Sequence, residues 1–547
     1  MIPETSMVMP LLALALPAVA LLACVFAPVR RALPHGLWLL PWPAVAAAIL
    51  GVSTEPLILT WLPYQPTLFI DVQGALLLGT SALLWSVAGF SLPAFFPDKP
   101  PGPAFCVFWV LTMIGSLGVF LAADLFSFLI CYVLVSLPAY VLIVRESSAV
   151  TKRAGAIYLG FALVGEGILI MAFVLLTTQA PEAGLNIDHL VQALSLSPDN
   201  SLTIALLILG FGMKMALVPL HVWMPLTYTA APIPVAAVLG GAAVKAGVIG
   251  LLRFLPWESG LPDWGNLLVV IGFLGAFYGV LIGVTQSNPK TILAYSSVSQ
   301  MGFLAALLGM GLVSPTGGLV VMAAFYAAHH VLVKGGLFLV VGLAGKIRSH
   351  RVGLILFPAG LLGLGLAGLP LTGGFIAKLA VKDPFGDGWP AMMATFASAG
   401  TAMLMTHFVI RLSKVTAGAG TIPMISRLRF SWILLVVASV SAPWMLSTQL
   451  GLGTPGELIS PATLWKSLWP VILGGGLALG ITLRGKALDW IPVGDILALL
   501  NPLSKIAASL GRSSERSDGF LRQWPVACLS FLLLVVILAL ASHWRIY

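Results

Sequence analysis

The sequence predicts an all-α polytopic membrane protein, and three observations carry that reading. Hydrophobic residues make up 59% of the 547-residue chain and charged ones only 9%, against about 25% charged in ordinary soluble domains. The apolar residues fall in long runs, and a helical span needs roughly 20 of them. The basic residues gather in alternate loops, as the positive-inside rule requires of a correctly counted set of spans.

Sixteen runs qualify, at about 7–26, 37–53, 73–95, 104–122, 125–144, 154–178, 202–220, 232–252, 266–286, 291–312, 318–343, 353–380, 389–410, 429–449, 464–483 and 524–542. No basic run or small-residue cleavage site accompanies the first, so it reads as a retained span and not a signal peptide. Residues 1–103 carry no basic group at span depth and read as scaffold or partner-contact helices. Blocks 104–252 and 266–410 each hold five spans, and the fourth of each is interrupted. GFGMKMALVPLHVWMP at 210–225 sets two prolines and a histidine inside an apolar run, and LGLAGLPLTGGFIAK at 364–378 follows Pro370 with Thr372, Gly373 and Gly374. Helices broken at matching places in two halves point to inverted repeats, with the functional site near the breaks. The organisation expected is therefore a first half-channel at 104–252, a second at 253–412 and further helices at 413–547. Within the last part, the polar stretch at about 484–523 reads as one or two amphipathic helices along the inner interface, or else as a solvated loop.

With the N-terminus outside, 20 of the 28 Lys and Arg residues fall in inner loops, and only Arg253, Lys382, Lys466 and Arg545 fall outside. Sixteen spans then place both termini outside the cytoplasm, in the cell inner (plasma) membrane. The net charge of +9 orients the chain in lipid, and no nucleic-acid surface is expected.

The remaining four basic residues are the informative ones. Lys214, Lys245, Lys334 and Lys378 lie inside apolar segments, together with Glu166 and His330. An ionisable group at bilayer depth costs roughly 2.5–3.5 kcal/mol on insertion scales, so it pairs, lines a wet cavity or moves charge. Burial favours the neutral form of a lysine and a nearby carboxylate favours the charged form, so such a lysine can be loaded and emptied by its partner. Histidine titrates near neutral pH and can pass a proton through both ring nitrogens. A string of such groups reads as a pathway for protons or alkali cations, with Ser296, Ser297, Ser299, Gln300 and Thr372 placed to hold water along it.

Plainer readings apply to some of these residues. A single lysine can snorkel to the interface, and Lys378 can simply end its span beside Lys382 and Asp383. His221 suits bracing of the broken helix better than proton transfer, His329 suits a headgroup or helix contact, and His407 suits an exit group or packing. Asp124 is placed to cap the fifth span, where the helix dipole favours an acid.

The four cysteines lie in predicted spans without paired spacing, so no disulfide framework, zinc site or iron–sulfur cluster is expected, and no cofactor is implied. Neither a Rossmann fingerprint nor a P-loop occurs. Energy for transport must then come from a partner or an ion gradient, and the chain has no catalytic site of its own.

At 214–253 the sequence KMALVPLHVWMPLTYTAAPIPVAAVLGGAAVKAGVIGLLR becomes specific. With PKTILAYSSVSQMGF at 289–303, HHVLVKGGLFLVVG at 329–342 and GLPLTGGFIAK at 368–378, it resembles the antiporter-like membrane subunits of respiratory complex I, Mrp cation/proton antiporters and membrane-bound hydrogenases. The resemblance covers about residues 104–412. It implies about fourteen core helices plus two extra ones, with two inverted five-helix half-channels. It also implies roles: Lys214 in the first broken helix, Lys245 as the next relay lysine, His330 and Lys334 as a central pair, and Lys378 as the terminal group. One position departs from the family pattern. Aligning DLFSFLICYVLVSLP at 124–138 puts Val133 where the family has a glutamate paired with the first lysine, and Glu166 is the acid left to replace it. The function expected is proton or cation/proton translocation within a larger complex, with other membrane subunits as partners and protons, Na⁺ or K⁺ as cargo. A Mrp-type Na⁺/H⁺ antiporter subunit and the membrane half of an inorganic-carbon pump are the alternatives. A haem carrier using His221, His329, His330 or His407 would leave the lysines unexplained.

Overall fold

The computed structural model describes residues 5–483, apart from 53–54, 97–100, 198–199, 316, 346–352, 417–425 and 453–454. The expected interfacial segment at 484–523 and the last span at 524–542 lie outside the described residues. In chain order the helices are α1 (Thr5–Ala23), α2 (Ala27–Gly36), α3 (Trp42–Leu50), α4 (Val72–Phe95), α5 (Pro103–Gly118), α6 (Leu125–Ile143), α7 (Ala149–Gln179), α8 (Ile187–Leu196), α9 (Ser201–Met215) and α10 (Trp223–Ala230). There follow α11 (Ile233–Val238), α12 (Lys245–Phe254), α13 (Pro262–Gly283), α14 (Pro289–Val313), α15 (Leu319–Ala344), α16 (Gly353–Ala367), α17 (Gly373–Ala380), α18 (Trp389–Thr416), α19 (Ser426–Ser447), α20 (Pro455–Leu458) and α21 (Pro461–Leu483). Among the described residues, 10 helical segments are long and apolar enough to cross a bilayer and four shorter apolar helices accompany them. The chain is thus an all-α multi-pass membrane protein.

Most expected spans coincide with one of these helices. The run at 37–53 does not: its helix is α3, of 9 residues, which rises only about 14 Å. Pro41 and Pro43 set its start and Gly51 ends it. A short hairpin that hydropathy did not reveal comes next, β1 (Leu57–Ile58) paired antiparallel with β2 (Thr67–Leu68). Asp124 ties it to the helices. One carboxylate oxygen accepts from Thr67 N at 2.6 Å, and the other accepts from Ser127 N at 2.8 Å, capping α6.

The core lies along α4, α14, α15 and the α11–α12 segment. The apolar lengths of α15 and α11–α12 are wholly enclosed by protein, whereas α7, α19 and α21 leave most of theirs facing outward, as lipid-facing helices do. Small residues allow this enclosure. A Cβ on Gly272 would stand 2.4 Å from Ala306 N, and one on Gly302 2.6 Å from Ala276 N, so α13 and α14 pack backbone to backbone.

Both expected breaks are present. Helix α9 stops at Ala216, which takes left-handed backbone angles of φ 58° and ψ 46°, and α10 resumes at Trp223. Helix α16 gives way to Gly368 (φ 96°) and Leu371 (φ 67°). Thr372 then starts α17, its hydroxyl oxygen accepting from Phe375 N at 3.2 Å. Thr372 therefore caps a helix, a role that the expectation of a water-holding hydroxyl did not include.

Candidate functional site

Lys214 ends α9 just before the break, where exposed carbonyls favour a cation. Its ammonium donates to Ser136 Oγ of α6 at 2.7 Å and stands 5.6 and 5.8 Å from the ring centres of Tyr132 and Tyr158. Glu166 of α7 is buried beside Ser136 and Lys214. These residues line one cavity of about 20 Å³. Glu166 and the first lysine thus share a pocket, although 48 positions of sequence separate them.

The central cluster depends on an irregularity in the backbone. Residues Leu239–Ala243 form a π-helical turn between α11 and α12, a rare feature that inserts a residue and re-aims the side chains beyond it. Gly241 lets α15 come close, since a Cβ there would lie 3.0 Å from Val331 O. Lys245, the next charged residue, puts Nζ 2.9 Å from His330 Nδ1. One turn further along α15, Lys334 donates to Leu293 O of α14 at 2.8 Å. Lys245, His330 and Lys334 are all 0% exposed, which rules out snorkelling for both lysines.

From this centre a line of side chains leads into the second half. Tyr326 precedes His330 by four residues and so shares its face of α15. Its hydroxyl donates to Gln300 Oε1, and Gln300 Nε2 donates to Thr401 Oγ1 of α18 at 3.0 Å. One turn before Thr401, Ser398 Oγ accepts from Lys378 Nζ at 2.6 Å. Lys378 also lies 5.1 Å from the Phe303 ring centre. It lines a second cavity of about 360 Å³ together with Lys382, Asp383, Glu457 and Lys466.

The other histidines occupy different settings. His221 packs its ring edge-on to Tyr278, with centroids 4.8 Å apart. His329 is buried against α17, its Cε1 2.9 Å from where a Gly374 Cβ would be, and so is away from headgroups. His407 Nε2 donates to Gln286 O in the turn after α13 at 2.8 Å. Lys214 and Lys245 make no direct hydrogen bond to each other among the described residues, although Gly247 of α12 packs against Lys214 Cβ. Ser136, Tyr326, Ser398 and Thr401 escaped the sequence reading. Of these only Tyr326, one turn from His330, carried a signal that spacing could have revealed.

Fold and site together define a polytopic helical membrane protein that holds titratable side chains in its enclosed interior. The chain belongs to the NADH:quinone oxidoreductase/Mrp antiporter transmembrane family, whose pattern matches residues 122–406, just over half of the sequence. It is 30% identical over 337 residues to hydrogenase-4 component B of Escherichia coli (strain K12), which covers 57% of this chain and 50% of that protein. The chain therefore matches about half the length of that relative. It is 26% identical over 337 residues to a Na⁺/H⁺ antiporter subunit of Bacillus subtilis (strain 168), covering 59% of this chain and 67% of the relative. An NADH-quinone oxidoreductase subunit of Heliobacterium modesticaldum is 28% identical over 334 residues, covering 56% and 67%. Among solved structures, the Mrp complex from Dietzia sp. DQ12-45-1b matches with a TM-score of 0.75 at 21% identity, over 99% of this chain and 63% of the matched one. The membrane-bound sulfane sulfur reductase, an archaeal respiratory membrane complex, matches with a TM-score of 0.68 at 20% identity, over 87% and 99%. At these identities the structural likeness shows the fold alone.

Proposed function

We propose that this chain is a proton-translocating membrane subunit of an energy-converting complex, set in the plasma membrane with both termini outside and with other membrane subunits as partners. The two five-segment blocks are inverted half-channels. Glu166 serves as the partner of Lys214 in place of the acid absent at Val133, Lys245, His330 and Lys334 form the central relay, and Lys378 is the terminal group. The observation that carries this reading is the 2.9 Å contact between Lys245 and His330 inside helices that lipid and bulk water do not reach. Charge placed so deep is costly, and its repetition within the enclosed helices supports conduction over snorkelling.

The relationship to the Na⁺/H⁺ antiporter subunit favours a second reading, exchange of Na⁺ or K⁺ for protons. One experiment separates the outcomes. Lys245→Met and Glu166→Gln are introduced into the chromosomal gene, and proton uptake is followed by fluorescence quenching in inverted vesicles that hold the assembled complex. Both variants should lose uptake with assembly unchanged, and normal uptake in both would discard the relay. Uptake by the unaltered protein that disappears in choline medium free of Na⁺ and K⁺ would establish exchange.

A further inference from the structure

Lys214 and Glu166 make no direct ion pair among the described residues, and the Lys214 ammonium instead donates to Ser136 Oγ at 2.7 Å. Glu166 Oε1 is buried with no hydrogen-bond partner among the described residues, a costly state for a carboxylate oxygen. It lines the cavity of about 20 Å³ that also touches Ser136 and Lys214, a volume that seats about one water. The Ser136 hydroxyl donates to Tyr132 O at 3.2 Å on its own helix, and the Glu166 carboxylate, lining the same cavity, is a second candidate acceptor. A hydroxyl has a single hydrogen, so it serves one of them at a time. The Ser136 peptide is pinned from α7, the helix that carries Glu166, because Tyr158 donates its hydroxyl to Ser136 O at 3.1 Å.

We propose that Ser136 is a positioning residue, a hydroxyl bridge through which Lys214 and Glu166 exchange their proton. This rests on the reading that these two groups work as a pair. As Ser136 gives its hydroxyl proton to the Glu166 carboxylate, it takes one from the Lys214 ammonium. The serine ends unchanged, the lysine neutral and the acid protonated. With Lys214 empty, the hydroxyl turns back to Tyr132 O, the bond that helical serines commonly make to the preceding turn, and the bridge is open. The substitution of a valine at position 133 is then compensated by two residues, an acid on α7 and a hydroxyl one turn after Val133 on α6.

The test compares Ser136→Ala, Ser136→Thr and Ser136→Cys with Glu166→Gln in vesicles that hold the assembled complex. Ser136→Ala should lower proton uptake about tenfold or more, the scale of one lost hydrogen bond to a charged group. Ser136→Thr, which keeps the hydroxyl, should restore most of it. If Ser136→Ala does not assemble, Ser136→Cys decides, since its near-isosteric thiol donates poorly and should also transport slowly. Normal uptake in Ser136→Ala or Ser136→Cys, with Glu166→Gln inactive, overturns the bridge and leaves the Lys214–Glu166 pair standing. An assembled Ser136→Thr as slow as Ser136→Ala also overturns it. Normal uptake in Glu166→Gln removes the pair itself.

Discussion

Lys245 Nζ and His330 Nδ1 lie 2.9 Å apart across the interface of α12 and α15. Two positive charges at that separation would repel by roughly 6 kcal/mol at an effective dielectric of about 20. The pair can therefore carry at most one positive charge. When the lysine carries it, Nδ1 accepts and the histidine hydrogen sits on Nε2, which has no partner among the described residues. When the histidine takes the proton, Lys245 is left neutral. In the proposed relay, exclusive occupancy of this kind would move a proton by one step without a new charge entering the interior.

His330 is expected to be indispensable for that step. His330→Ala should lower proton uptake by roughly a hundredfold, the lower range for loss of a positioned acid–base group. His330→Gln keeps an acceptor for Lys245 but cannot titrate, so it should assemble well and still fail to transport. Fluorescence-quench uptake combined with native-gel assembly measures both, and substantial transport by His330→Gln would exclude the histidine as a carrier.

Gln300 joins α14, α15 and α18 through one amide. Replacing it with leucine strands the buried Tyr326 hydroxyl, at about 1–3 kcal/mol for a group left unsatisfied, while Thr401 keeps its own bond to Ala397 O at 2.8 Å. Gln300→Leu should lower the thermal midpoint of the detergent-solubilised protein and slow transport. An unchanged midpoint in Gln300→Leu would show that the line from Tyr326 to Thr401 contributes no stability.

Gly374 is the tightest point of the second break. A Cβ there would stand 1.9 Å from Gly365 O and 2.9 Å from His329 Cε1, so Gly374→Ala must push α17 away from α15 and α16. Forced overpacking costs typically about 1–3 kcal/mol, and the complex should assemble poorly. Gly360→Ala is the control, because a Cβ at that position meets nothing within 4 Å. It should assemble normally and gain a little stability, since alanine favours helix over glycine by roughly 1 kcal/mol. Native-gel yields of the two variants make the comparison.

Membrane class, the placing of most spans, the two broken helices and the buried lysines were all legible along the chain. Lipid imposes a one-dimensional rule, under which apolar runs of sufficient length cross and every ionisable exception stands out. The rule fails where a run is long enough in composition but proline-bound in geometry, as at 37–53, where α3 keeps only 9 residues. Glu166 could be picked out as a deep acid, yet nothing in the sequence could say that Ser136 would meet Lys214 in the same cavity.

Contacts of that kind belong to tertiary structure alone. Lys214 meets Ser136 from 78 positions away, Lys245 meets His330 from 85, and Gln300 meets Thr401 from 101. Hydropathy says that a helix crosses but not how it is rotated, and rotation decides which side chains touch. Here it is set by the π-helical turn before Lys245 and by glycines where backbones meet. Both act over distances of about an ångström, well below what residue types and their spacing can resolve.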